Sequence, residues 1–192
     1  MLFSPDFRRV YIHTLDNNQT MKHLFFLFAA ISMAACTTSA PSETSDTDAL
    51  FAQNCKTARA LIRDFDNEDI AAIRSHFADS AVWRPTTFGQ LDTPSLEDKV
   101  AGWTAAFAKY DFDLATKDLQ LLPGVSAETK QPDGSVRVYF DWDLVRPATD
   151  TTERKSVTIT YYESWEFDSD GKIWLTQIFG DKTAAMQALD AM

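Results

Sequence analysis

Cysteine is nearly missing: the 192 residues hold two, Cys36 and Cys55. Once Cys36 is committed elsewhere, Cys55 has no partner, so an intramolecular disulfide is excluded. Iron–sulfur clusters and structural zinc sites draw on several Cys, or Cys and His, at short spacing, and that spacing is absent too. Histidine is equally scarce, with three in the chain and His76 alone after Cys36. No metal and no cofactor is therefore expected. Positive charge is the third deficit. The 28 acidic residues less Asp6 and Asp16 leave 26 after Cys36, and the 18 basic residues less Arg8, Arg9 and Lys22 leave 15, a net charge of −11. No Lys/Arg cluster interrupts it, and such a surface repels phosphate backbones, so nucleic-acid binding is excluded. Long hydrophobic runs are lacking as well. The longest, Leu24 to Ile31, falls well short of the ~20 residues that span a bilayer.

That short run has a context of its own. Met21-Lys22-His23 is a basic start, Leu24 to Ile31 is apolar, and Met33-Ala34-Ala35-Cys36 follows with small residues before a cysteine. The order is that of a secretory signal, and its end resembles a bacterial lipobox. The resemblance implies cleavage before Cys36, lipidation of Cys36 and a periplasmic domain held by a lipid anchor. Thr37, standing where an Asp would signal inner-membrane retention, implies the outer membrane. Residues 1–20 fit no such leader and read as a mis-assigned start, with translation beginning at Met21. Residues 36–48 are small and polar; they cannot bury enough surface to fold and read as a tether. Residues 49–192 are long enough for one domain.

Aromatic side chains are what the chain has in quantity: 14 Phe, 5 Trp and 5 Tyr. Leu50, Phe51, Cys55, Ala58, Leu61, Ile62 and Phe65 recur at helical steps and predict a helix over 48–65, with Cys55 a small buried hydrophobe. Asp66-Asn67-Glu68-Asp69 breaks it and caps a second helix, Ile70 to Phe77. Ala81 to Trp83 reads as a short strand. A third helix starts near Ser95, with Val100, Trp103, Ala106 and Phe107 inward. The period then changes. Phe112 to Leu122 is expected to be one strand, and Val136 to Leu144 alternates apolar with polar. Val157, Ile159, Tyr161, Glu163, Trp165 and Phe167 share a face of the next strand. A last strand, Lys172 to Phe179, and a helix after Asp181 close the chain. The fold class is α+β, with helices first and antiparallel strands later.

Asp69-Ile70-x-Ala72-Ile73, then Phe77-Ala78-Asp79-Ser80-Ala81-Val82-Trp83-Arg84-Pro85, then Glu166-Phe167-Asp168-x-x-Gly171-Lys172-Ile173 together resemble the nuclear transport factor 2-like superfamily, which includes ketosteroid isomerases and SnoaL-type polyketide cyclases. The resemblance runs from Asp48 to Leu189. It implies a curved sheet wrapped round helices into a cone with an apolar cavity, and a possible homodimer through the sheet face. Carried over residue by residue, the isomerase base falls on Arg84, which cannot abstract a proton. The oxyanion Tyr falls on Ala60, or on Leu61 one register away. The remaining acid position has a counterpart in Glu163. No His–Asp pair of the cyclase kind is evident.

Glu163 stands out on pattern alone, a carboxylate among apolar neighbours. It is the candidate anchor for a ligand's polar group, with Arg84 as possible partner across the cavity; a solvent-facing or ion-paired carboxylate is the plainer account. Trp83, Trp103, Tyr161 and Trp165 are candidate ligand-binding walls, and Trp174 is a weaker one; all also suit a core. His76 reads as a helix-end residue, Asp141 and Asp143 as a polar strand face, and Asp168-Ser169-Asp170-Gly171 as a hairpin turn rather than a calcium loop. The expected function is binding of a small, mostly apolar ligand, without catalysis. The alternatives are an isomerase-, dehydratase- or cyclase-like enzyme using Glu163, or an envelope interaction module.

Overall fold

The apolar steps in the first segment do build a helix, α1, Glu43–Asp66, burying Ala58, Leu61 and Ile62. The structure, a computed structural model, describes residues 43–191. The leader, the signal segment, Cys36 and the first part of the tether lie outside the described residues. α1 begins ahead of Asp48 and takes up the later part of the stretch read as tether. Asp46 and Asp48 near its start favour this, since acids are stabilised at the positive end of a helix.

Asp69 caps α2, Ile70–Ser75, by accepting from the Ala72 N–H at 3.0 Å. The helix stops at His76, earlier than expected, because Phe77 enters β1, Phe77–Trp83. That strand pairs in parallel with β6, Ile173–Phe179, with Phe77 opposite Ile173. A partner so distant in sequence leaves no local trace, which is why the strand reads short. α3, Leu96–Phe107, opens on a capping box: the Ser95 hydroxyl accepts from the Asp98 N–H, and the Asp98 carboxylate accepts from the Ser95 N–H at 3.0 Å.

The single strand expected over 112–122 is two, β2 (Asp111–Leu114) and β3 (Gln120–Val125). Both lie antiparallel against β4, Pro132–Arg146, on its later and earlier halves respectively. Between them the Thr116 hydroxyl accepts from the Asp141 N–H at 2.8 Å, taking the place of a strand carbonyl. The α1–α2 acids serve β2 as well, Asp66 accepting from the Leu114 N–H and Glu68 from the Phe112 N–H. β5, Lys155–Phe167, sits between β4 and β6, and the sheet runs β1-β6-β5-β4-β2. α4, Lys182–Ala191, closes the cone, buries Leu189 and is pinned by Tyr110 Oη donating to Asp190 at 2.8 Å.

The β4–β5 register settles which face is inside. Val136, Val138 and Phe140 stand opposite Trp165, Glu163 and Tyr161, so Glu163 belongs to the inner, core-facing row. The outer row carries Tyr139, Tyr162 and Phe179 as a ladder across three strands, with centroids 4.8 and 6.0 Å apart. Arg137 and Glu166 pair beside it at 3.1 Å. No helix among the described residues is long and apolar enough to cross a membrane.

Candidate functional site

A cavity of about 190 Å³ opens at the wide end of the cone between α3, the end of β1, β5 and the start of α4. Its walls are aromatic. Trp83 and Trp103 meet edge to face at 5.9 Å, Phe65 stands against Trp103 at 5.2 Å, and Phe107 packs on Phe112 at 5.4 Å. The Arg84 N–H donates to the Thr176 carbonyl at 2.9 Å, extending the parallel pairing one step and holding the loop that supplies Thr86, Thr87 and Gln90 to the rim. On the other side β6 leads into α4 through Gly180. A Cβ there would stand 2.2 Å from the Tyr161 ring, so only glycine lets the chain cross Tyr161 so closely.

Four charged side chains line this cavity: Glu163, Lys99, Arg84 and Lys182. Lys99 lies one helical turn before Trp103 on α3, so the two share a face. Its ammonium stands over both indoles, 5.4 Å from the Trp83 centroid and 5.9 Å from that of Trp103. Burial lowers its pKa, the charge of Lys182 lowers it further, and Glu163 opposes both. Lys182 has much exposed surface, yet protein atoms crowd it enough for desolvation to lower its pKa too. Glu163 retains some accessible surface because it faces the cavity. Burial pushes its carboxyl up to about 7, against the pull of Lys99 and of the Trp165 indole. Burial and the charge of Glu163 together push the Tyr161 hydroxyl up.

Of the residues expected to bind a ligand, Trp83, Arg84, Trp103, Tyr161 and Glu163 share this cavity. Trp165 does not line it. It is buried behind Glu163, against a second void of about 30 Å³ that Glu163 also borders. Its indole N–H lies near enough to Glu163 to act on the carboxyl, yet makes no hydrogen bond of regular geometry. The pairing expected between Glu163 and Arg84 is replaced. The cation whose charge acts on Glu163 is Lys99, because α3 carries it into the cavity while Arg84 stays exposed at the mouth. Lys99 was legible in principle: it sits three residues after Leu96 and four before Trp103, a charge on an otherwise apolar helix face.

The remaining candidates fall elsewhere. Trp174 is 42 % exposed and does not line the cavity. His76 pairs with Asp64 at 2.7 Å between α1 and the end of α2. Asp141 and Asp143 accept from the Thr160 and Thr158 hydroxyls across the outer sheet face. Asp168 accepts from the Asp170 and Lys172 N–H groups at 2.9 Å, which makes its loop a side-chain-stabilised turn. Cys55 is half-buried rather than fully inside, and burial raises its thiol pKa. Among the described residues no three metal-ligating side chains converge.

No protein-family profile and no curated protein matches the chain. Solved structures do. BvnE pinacolase from Penicillium brevicompactum superposes with a TM-score of 0.56 at 17% identity, covering 74% of this chain and 99% of that one. An LEH-like epoxide hydrolase from M. tuberculosis gives 0.51 at 14% identity, over 72% and 90%. A protein provisionally described as a SnoaL-like polyketide cyclase from Shewanella denitrificans gives 0.53 at 12% identity, over 72% and 98%. At such identities the likeness speaks for architecture alone. The superpositions and the six-stranded curved sheet with its helices agree in giving the chain the nuclear transport factor 2-like fold.

Proposed function

We propose that the domain binds a small, mostly apolar molecule in the cone cavity without transforming it, and does so at the periplasmic face of a membrane to which Cys36 tethers it. One observation carries the reading: an aromatic-walled cavity with a few converging polar groups, the usual composition of a small-molecule site. The distribution of acids and bases favours binding over chemistry. Glu163 is the cavity's single carboxylate, His76 is engaged with Asp64 outside it, and Lys99 stands near Glu163 without forming an ion pair. The membrane tether rests on Met33-Ala34-Ala35-Cys36, and the outer aromatic ladder supports a second copy against the sheet face.

One observation favours the alternative, an acid–base enzyme of the isomerase, dehydratase or cyclase kind. A carboxyl held up at about 7 is poised to give or take a proton near neutral pH. The deciding experiment is mass spectrometry of small molecules released from the natively expressed full chain, beside a cavity-filled Ala106→Trp variant whose melting curve confirms folding. A species carried by the wild type and lost from the variant is expected. Identical extracts from both would sink the cavity reading, and a ligand converted on incubation would favour the enzyme.

A further inference from the structure

Eleven of the fifteen Lys and Arg side chains among the described residues find an oxygen partner, six of them a carboxylate and Lys56, Arg59, Lys130, Arg146 and Lys172 an amide or carbonyl oxygen; of the four that do not, three line the cavity and the other is Lys117. Arg63, Arg74, Lys109, Arg137, Arg154 and Lys155 each meet a carboxylate within 3.8 Å. Arg84, Lys99 and Lys182 do not. Among the described residues none of the three makes a salt bridge or a side-chain hydrogen bond, though the surrounding domain is strongly acidic. Against these three stands Glu163, which burial keeps partly protonated. The result is an electropositive hollow in an electronegative protein.

An unpaired cation held, as Lys99 is, in a partly enclosed, aromatic-walled space is costly unless something neutralises it. Lys99 is braced by two indole faces, an attraction that holds the ammonium without consuming its donors. Lys182 is near enough for its charge to act on Lys99, so a single anion placed by both would relieve a repulsion and gain two charge-assisted contacts. The cavity's size suits one compact body rather than a long chain. We propose that the cavity ligand is an apolar monocarboxylic acid, its carboxylate held by Lys99 and Lys182 and its body laid against Trp83 and Trp103. This inference rests on the ligand-cavity reading and narrows it to one sign of charge.

Glu163 then has a defined part. Its protonated form donates a hydrogen bond to an anion, whereas its ionised form repels one. Facing it are Lys99 from α3, Tyr161 on its own strand, Arg84 beyond β1 and Lys182 at the start of α4. Tyr161 stays neutral across the neutral range, since burial pushes its hydroxyl up. Affinity for an acid therefore falls as pH rises through about 7, and deprotonation of the lysines acts in the same direction.

Isothermal titration of the purified full chain with 3-phenylpropionate, its methyl ester and 3-phenylpropylamine tests the assignment, because the three share one body. The acid is expected to bind roughly tenfold more tightly than the ester, and the amine more weakly than either. The acid's advantage should shrink with rising pH. Lys99→Met should bring acid and ester to within about twofold of each other, and Lys99→Arg should restore much of the gap. Should Lys99→Met fail to fold, the exposed Lys182→Met offers the same comparison. An ester that equals the acid, or an amine that binds best, overturns the anion assignment and leaves an apolar cavity standing. Failure of all three to bind removes the cavity reading and this inference together.

Discussion

Glu163 concentrates the energetic tension of this molecule in one side chain. Its carboxyl is pushed up to about 7 from an ordinary 4.5, so the folded state holds a proton over a range where the unfolded chain has released it. By linkage, stability is then greatest below the ordinary carboxylate range and declines as pH rises toward 7, flattening above. The full decline is at most about 3 kcal/mol, reduced by the water that the cavity mouth admits. Glu163→Gln keeps the shape and removes the titration. It is expected to melt above the wild type at about pH 8 and to match it near about pH 5, as thermal denaturation across that range would read. Parallel curves at every pH would mean that the carboxylate is solvated in both states.

Between elements, the same accounting runs in the opposite direction. Asp64 near the end of α1 receives His76 at 2.7 Å and Arg63 at 3.0 Å. Burial alone would raise its pKa, but those two partners outweigh burial and hold it below the usual carboxylate range. A depressed carboxyl contributes stability that is present above its unfolded pKa and lost as pH falls through the folded one. Asp64→Ala should cost about 1–3 kcal/mol at neutral pH by stranding the half-buried His76 ring. That gap should close in acid, and urea denaturation at two pH values would register both effects. An undiminished gap at low pH would assign the loss to packing instead.

The elements also mark where sequence stops being informative. Helical spacing exposed α1 and α3, and strict alternation exposed β4 and β5, because in each the burying face is written locally. In the sequence β1 reads short and α2 long, because the backbone at Phe77 is claimed by Ile173, a partner no local pattern announces. The break between β2 and β3 escaped for a similar reason, since the Thr116 hydroxyl interrupts the ladder only where β4 passes. Glu163 was visible as a charge out of place on β5. Lys99 was the same anomaly on α3, but its meaning depends on Trp83 arriving from another element.

At the scale of the whole molecule, charge and anchorage are linked. The chain beyond Cys36 carries a net charge of −11, which anionic lipid headgroups repel. None of the described helices is suited to cross a membrane, and a domain with this charge gains nothing by lying on one. In the anchored reading, membrane association therefore depends on a single residue. Cys36→Ser should move the protein from the membrane pellet to the soluble fraction after fractionation. Its melting curve should be unchanged, because Cys36 precedes α1 and the fold that encloses the cavity. Raising the salt concentration should not release the wild type, since acyl insertion scales with buried hydrocarbon rather than with ionic attraction. A Cys36→Ser protein that stayed in the pellet and carried no lipid label would place the attachment elsewhere and remove the lipobox from the account, while leaving the electropositive cavity and its acid-binding test untouched.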